Sequence, residues 1–154
     1  MSDLIELERL IKADSAERGQ AVSKLGYFCA PFRPVRGPLA NKVIKVYRGL
    51  RNVVELERLA QCHSDYVAAL ELTGVDLPAT EFHLLDIDGT TVPVIVQEAL
   101  PRDSMMRPQI IAAELEQAVE MMEAAGQVIA TFWNNADKVE GRVGFHPSIR
   151  NFAY

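Results

Sequence analysis

The sequence predicts an α+β fold, in which a small antiparallel sheet packs against helices. Three segments, residues 3–17, 53–73 and 109–135, repeat apolar residues at helical spacing. The shorter segments between them are rich in β-forming residues, and two of these flank Asp88-Gly89, a dipeptide typical of two-residue hairpin turns. Because a hairpin joins antiparallel strands, the order helix, strand, strand, helix, hairpin, loop, helix and tail describes an α+β architecture.

The first helix and the segment after it open the chain. Ser2 or Asp3 is suited to cap the helix over residues 3–17, and Gly19 lies near its end. Its apolar positions are Leu4, Ile5, Leu7, Leu10 and Ile11. The segment "YFCAPFRPV" that follows contains prolines, which cannot donate to a sheet, so we expect an edge strand or an irregular strand there.

The segment "NKVIKVYRGL" alternates between two kinds of side chain. Val43, Lys45 and Tyr47 fall on one face, and Ile44 and Val46 fall on the other. This period of two predicts a strand with two different faces.

The second helix has recognisable ends. Asn52 is suited to cap its start, Gly74 stands at a C-cap position and Pro78 lies beyond. The predicted strands "TEFHLLDI" and "TVPVIVQEAL" follow, on either side of Asp88-Gly89. We expect residues 101–108 to form a loop.

The third helix is predicted as one continuous segment over residues 109–135, although Gly126 lowers its helix propensity. The tail "RVGFHPSIRNFAY" is expected to form short extended pieces and a turn. Core packing is expected for the following side chains: Met105, Met106, Met121, Met122 and Trp133.

Composition excludes several classes of function. The 154 residues fit a single domain, 1–154, and a net charge of −5 argues against a nucleic-acid partner. No apolar run is long enough to span a bilayer, and the acidic N-terminal segment is unlike a targeting peptide, so we expect a cytoplasmic protein without a membrane partner. Cys29 and Cys62 lack the spacing of a metal site, and the three histidines are far apart in sequence.

The order of the elements, together with "VIK" at residues 43–45, resembles the small lobe of the protein-kinase-like fold, as in the aminoglycoside and choline phosphotransferases. The resemblance implies that Lys45, on a rigid strand before a long helix, contacts the phosphates of ATP. It also implies that an acidic residue of that helix pairs with Lys45. The matching position is Asp65, or Glu57 or Glu71 if the register is shifted.

Two further segments carry the same resemblance. "TGVDLPATEFHLL" is similar to the passage from helix to strand in these phosphotransferases, and "VPVIVQEALP" is similar to the last small-lobe strand and the hinge. The resemblance then implies that Glu98, Ala99 and Leu100 meet the adenine edge. A loop over the phosphates would lie in "RGQAVSKLGYF", which contains Gly19 and Gly26.

The tail "GFHPSIRN" is similar to the catalytic loop of the family, in which an aspartate acts as base and an asparagine binds a metal ion. Asn151 would be the ligand of Mg²⁺. Alignment on His146-Pro147 places Gly144 at the position of the base, whereas alignment on Asn151 places His146 there. The usual aspartate is therefore absent, and His146 is the remaining candidate for the base.

The resemblance divides the chain into an N-terminal helix (1–19), a kinase-like small lobe (20–100) and a segment with hinge, long helix and catalytic-like loop (101–154). The metal-binding Asp-Phe-Gly-type segment and the rest of the large lobe would follow Tyr154, so we expect this chain to correspond to a fragment or a natural remnant.

Two functions remain open. One is a kinase-like protein that binds ATP and Mg²⁺, and that would transfer phosphate to a small-molecule hydroxyl if an intact large lobe exists. The other is a non-catalytic partner-binding protein, either a degenerate kinase fold (a pseudokinase) or an unrelated α+β module. It would self-associate as a homodimer, because the long helix would need a cover for its apolar face.

Overall fold

The computed structural model describes residues 2–18, 29–47, 52–141 and 143–154 of the chain. The loop expected over the phosphates, with Gly19 and Gly26, lies outside these residues.

The described residues form four α-helices and one four-stranded antiparallel sheet, which confirms the α+β fold class. The helices are α1 (Ser2–Arg18), α2 (Val53–Leu72), α3 (Met106–Ala112) and α4 (Leu115–Asn135). The strands are β1 (Cys29–Phe32), β2 (Lys42–Tyr47), β3 (Thr80–Ile87) and β4 (Thr90–Glu98). The strand order is β1-β2-β4-β3, so the proline-containing β1 is an edge strand as predicted. In these residues we find no helix with the length and apolarity needed to cross a membrane.

The two faces of β2 differ, as its alternating sequence predicts. Ile44 and Val46 are buried in a core, whereas Val43, Lys45 and Tyr47 on the other face are half-buried. This core also contains side chains from α1 and β4: Leu7, Ile11, Val94 and Val96. Burial of each such aliphatic side chain stabilises the fold by about 1.5–3 kcal/mol, so α1 is attached to the sheet mainly by the hydrophobic effect.

The β3–β4 hairpin turns at Asp88-Gly89, as predicted. Both residues have positive φ, +53° and +77°, which a two-residue type I′ turn requires. The carboxylate of Asp86 accepts a hydrogen bond from the Gly89 N–H at 2.8 Å and so fixes the turn. A two-residue turn determines the whole register, in which Thr80 lies opposite Gln97.

Both predicted caps of α2 are confirmed. The side chain of Asn52 accepts a hydrogen bond from the Val54 N–H at 3.0 Å. At the other end, the N–H groups of Gly74 and Val75 donate to the carbonyls of Glu71 and Leu70. This pair of bonds is a Schellman motif, and Gly74 adopts the positive φ of +79° that the motif needs.

The prediction of one helix over 109–135 is wrong, and so is the loop over 101–108. Helix α3 already begins at Met106, and the chain is extended at Ala113 and Glu114, with ψ values of 154° and 159°. The break turns the chain so that α3 and α4 bury a common cluster of side chains: Met106, Met121 and Ala125, with Ile110 and Ala113 against them. The helical spacing continues through the break, so it gives no sign of this turn.

The described chain forms two compact units. Unit 1 comprises residues 1–64 and 78–99, and unit 2 comprises 65–77 and 100–154. The predicted small lobe, 20–100, is divided between the two units, because residues 65–77 and Leu100 belong to unit 2. The expectation of a single domain remains a prediction.

Unit 2 contains two apolar clusters. One includes Leu70, Val75 and Phe132, and the other is the α3–α4 cluster described above. The expected core packing is confirmed for Met106 and Met121. It is wrong for Met122 and Trp133, which are 51% and 61% exposed.

Substitution of Gly74 tests the C-cap of α2. A Cβ at this position would lie 3.1 Å from Thr131 Cγ2, and the φ of +79° disfavours any L side chain. We expect Gly74→Ala to lower the free energy of unfolding by about 1–2 kcal/mol. Gly126→Ala is the matched control, because its Cβ would meet nothing within 4 Å in the interior of α4. It should raise stability by about 0.5–1 kcal/mol. Urea denaturation measures the free energy of unfolding of both variants. Equal changes in Gly74→Ala and Gly126→Ala would contradict the assignment of the cap.

Candidate functional site

The candidate site centres on Lys45, on the face of β2 that is opposite to Ile44 and Val46. Its side chain is half-buried, and its Nζ donates a hydrogen bond of 2.8 Å to the amide oxygen of Gln97. Gln97 lies on β4, which pairs directly with β2. The lysine is therefore attached to the neighbouring strand and has a defined direction, which an exposed lysine would lack.

Gln97 continues a chain of hydrogen bonds across the sheet. Its amide Nε2 donates to the hydroxyl of Thr80 at 3.1 Å, and this hydroxyl donates to the carbonyl of Pro78 at 2.7 Å. Each bond fixes the direction of the next: because the Gln97 amide nitrogen faces Thr80, its oxygen faces Lys45. The chain Lys45–Gln97–Thr80–Pro78 joins β2, β4, β3 and the segment before β3.

Burial determines the electrostatics around Lys45. Desolvation lowers the pKa of Lys45 below its ordinary value, and the nearby Cys29 opposes this effect. Cys29 lies opposite Tyr47 in the β1–β2 pair, and burial together with Cys29 raises the pKa of Tyr47. The group that results is a partly desolvated ammonium with a neutral amide as hydrogen-bond acceptor.

His63 of α2 is close enough to the ammonium of Lys45 for the positive charge to affect its protonation. Burial lowers the pKa of His63, and the positive charge of Lys45 lowers it further. The imidazole ring contacts Phe82 of β3, with ring centroids 5.4 Å apart. His63 is therefore neutral near pH 7, and its titration reports on the charge at Lys45.

This arrangement is suited to anion binding. An ammonium group has three N–H donors, and Gln97 accepts from one of them. A phosphate would supply the negative charge that the neutral amide does not. The energetic gain is larger for a desolvated cation than for an exposed one, because water screens less there.

The predicted adenine-binding residues follow directly after Gln97. In unit 1, the N–H groups of Glu98 and Ala99 donate to the carbonyls of Ala79 and Asn41, each at 2.8 Å. These two donors are already used within the sheet and its flanking loops. Leu100 belongs to unit 2 and is 38% exposed. Adenine recognition by these residues remains a prediction.

The three acidic residues considered as partners of Lys45 are all exposed. Glu57 belongs to unit 1, and Asp65 and Glu71 belong to unit 2. The hydrogen bond that the structure gives to Lys45 goes to Gln97. The predicted pairing with an acid of α2 remains a prediction.

The tail loop with Gly144, His146 and Asn151 lies in unit 2, and all three residues are exposed. Asn151 closes the loop, because its Nδ2 donates to the carbonyl of His146 at 3.4 Å and its N–H donates to the carbonyl of Ser148 at 2.7 Å. The carbonyl of His146 also accepts from the Ser148 N–H at 2.8 Å. The loop is therefore a hydrogen-bonded turn.

Aromatic side chains attach this loop to α4. The Phe145 ring stacks on Phe132 with a centroid distance of 4.7 Å, and Phe152 meets the edge of Phe145 at 6.4 Å. Backbone bonds add to this attachment, since Met106 N–H donates to Phe152 and Tyr154 N–H donates to Ser104. Among the residues that the structure describes, no group of three or more His, Cys, Asp or Glu side chains is arranged to hold a metal ion. The role of Asn151 toward Mg²⁺ remains a prediction.

Sequence reasoning proposed Lys45 as a site residue but did not propose Gln97, Thr80 or His63. For the first two a signal was present: a two-residue turn at Asp88-Gly89 necessarily places Thr80 opposite Gln97. The pairing of β2 with β4 is a long-range contact, which this local signal does not determine. The position of His63 depends on how α2 lies against the sheet.

The chain belongs to a protein family described as a family of unknown function (DUF6206), whose model matches residues 6–154. No curated protein and no solved structure matches the chain.

The proximity of His63 and Lys45 can be tested by titration. The folded pKa of His63 is lowered, so between this pKa and the ordinary value of about 6.5 the unfolded chain binds more protons. Stability therefore falls as the pH drops through this window. We expect His63→Gln to reduce this acid-side loss, measured by urea denaturation at a series of pH values.

Lys45→Met supplies the second half of the test. Without the ammonium, one of the two causes of the shift is gone, and the pKa of His63 should rise toward its ordinary value in NMR titrations. Lys42→Met, on the same strand but the opposite face, is the control and should leave His63 unchanged. An unchanged pKa of His63 in Lys45→Met would contradict the assigned proximity.

Proposed function

We propose that the chain binds ATP with Mg²⁺ and that Lys45 is the cation that contacts the phosphates. The observation that carries this proposal is the half-buried ammonium of Lys45, fixed on the sheet by its 2.8 Å hydrogen bond to Gln97. A cation that is directed from a rigid strand is suited to phosphate.

The arrangement of the strands supports the proposal. Strand β2 carries Lys45 and is paired with β4, which ends at Glu98 and leads into Ala99. Lys42 lies opposite Glu98, and Lys45 is three residues further along β2, which corresponds to roughly 10 Å along the strand. A ligand lying along β2 would thus reach both the ammonium and the backbone that follows β4. This agrees with the resemblance to the small lobe of aminoglycoside and choline phosphotransferases.

The reaction that the resemblance implies is transfer of the γ-phosphate to a small-molecule hydroxyl. Such a transfer needs a group that orients and deprotonates the hydroxyl. At that place the sequence offers Gly144 or His146, and the aspartate is absent. We therefore propose nucleotide binding as the function of this chain, with catalysis by His146 as a separate question for activity assays.

Thermal unfolding with and without ATP and Mg²⁺ tests nucleotide binding. A ligand at about ten times its Kd adds about 1.4 kcal/mol of stability, which raises Tm by about 3–5 °C in a domain of this size. We expect this rise in the wild type and its loss in Lys45→Met. Lys42→Met should keep it, because Lys42 is on the same strand but on the opposite face.

Two outcomes would contradict the proposal. One is an unchanged Tm of the wild type at millimolar ATP and Mg²⁺. The other is an equal rise in the wild type and in Lys45→Met, which would place the nucleotide elsewhere.

A second candidate function is self-association through α4. Leu115, Val119, Met122 and Trp133 are separated by four, three and eleven residues, a spacing that puts them on one side of a helix. All four are exposed, from 47% for Val119 to 81% for Leu115. An apolar side of this kind is a typical contact between copies of a chain.

Light scattering during size-exclusion chromatography tests this second candidate. If the exposed side of α4 joins two copies, Val119→Glu should convert the dimer to a monomer, because it places a charge in the contact. Gln127→Glu adds the same charge at an exposed position on another side of α4 and should leave the dimer intact. A monomeric wild type at all concentrations would contradict self-association.

A further inference from the structure

Gln97 makes a contact that the resemblance does not assign. The family's pattern expects an acidic side chain of the long helix beside the lysine. In this structure Lys45 donates a hydrogen bond to a neutral amide of the adjacent strand. An amide and a carboxylate differ in one important respect. The amide directs the ammonium without adding a negative charge of its own.

The orientation of this amide is itself determined by the sheet. Gln97 could present either its oxygen or its nitrogen to Lys45, and only the oxygen accepts a hydrogen bond from an ammonium. The Thr80 hydroxyl accepts from the nitrogen at 3.1 Å, while its own proton goes to the carbonyl of Pro78 at 2.7 Å. Thr80 therefore selects the orientation in which the amide oxygen faces Lys45.

We propose that Gln97 is the positioning residue for the phosphate-binding ammonium of Lys45, and that Thr80 orients Gln97. This inference rests on the proposed nucleotide binding and adds to it a residue on β4. It also connects the lysine expected to contact phosphate with the residues expected to meet adenine, because Gln97 immediately precedes Glu98 in β4.

Two substitutions of Gln97 should change the titration of Lys45 in opposite directions. Gln97→Met keeps the length of the side chain but removes the acceptor, so the charged form of Lys45 loses a stabilising bond and its pKa falls further. Gln97→Glu keeps an acceptor and adds a negative charge, so the pKa of Lys45 rises. The neighbouring titratable groups Cys29, Tyr47 and His63 are unchanged in both variants.

The measurement is an NMR titration of the labelled Lys45 side chain in the full chain, with circular dichroism as a check of folding. A purely structural role of Gln97 would not reverse the direction of the shift between Met and Glu. Shifts in the same direction, or no shift in either folded variant, would overturn the positioning role. If Gln97→Met fails to fold, the titrations of Lys45 in Thr80→Val and Thr80→Ser decide whether the oriented amide acts on the ammonium.

Thr80 supplies a second and milder pair of variants. Thr80→Val removes the hydroxyl that orients the amide, and it should shift the pKa of Lys45 in the same direction as Gln97→Met. Thr80→Ser keeps the hydroxyl and should restore the wild-type titration. Equal titrations of Lys45 in Thr80→Val and Thr80→Ser would remove Thr80 from the proposal.

Affinity for ATP with Mg²⁺, measured by calorimetry, tests the link to the ligand. Loss of one hydrogen bond to a charged group predicts about tenfold weaker binding in Gln97→Met. An unchanged Kd in that variant would overturn the role of Gln97 in phosphate binding. Failure of the wild type to bind ATP would overturn the proposed function instead, and the opposite shifts at Lys45 would still decide whether Gln97 positions the ammonium.

Discussion

The hydrogen bond between Lys45 and Gln97 is the interaction on which the account of this protein depends. It joins the two central strands of the sheet on the face opposite to the buried Ile44 and Val46. A half-buried ammonium is costly unless it is hydrogen-bonded, because burial disfavours its charge. Gln97 offsets part of this cost but adds no negative charge. The hydrogen bond therefore directs the ammonium without itself neutralising it.

The rest of unit 1 determines where these two side chains lie. The core between α1 and the sheet fixes which face of β2 points away from α1, since Ile44 and Val46 must be buried. The turn at Asp88-Gly89 fixes the register of β3 and β4, and this register brings Thr80 to Gln97. In unit 2 the tail loop is held by aromatic packing instead: the ring of Phe145 stacks on Phe132 of α4.

Local signals predicted much of this fold. The caps at Asn52 and Gly74, the hairpin and the two faces of β2 each depend on a few neighbouring residues, and each is confirmed. The break between α3 and α4 was missed because Ala113 and Glu114 carry no glycine or proline signal; the turn serves the packing of Met106 against Met121 and Ala125. In the site, Lys45 followed from a motif. Gln97 and His63 reach it through long-range contacts, and a single sequence does not determine such contacts.

The most direct test of the central claim is an NMR titration of the wild-type chain with ATP and Mg²⁺, observing the side chains of Lys45 and His63. If phosphate binds the ammonium, the added negative charge should raise the pKa of both groups. It stabilises the charged form of Lys45, which burial disfavours, and it offsets the positive charge of Lys45 that lowers the pKa of His63. Both signals should change together along one saturating curve. Saturable binding that leaves Lys45 and His63 unchanged, or no binding at millimolar ATP, would contradict the account.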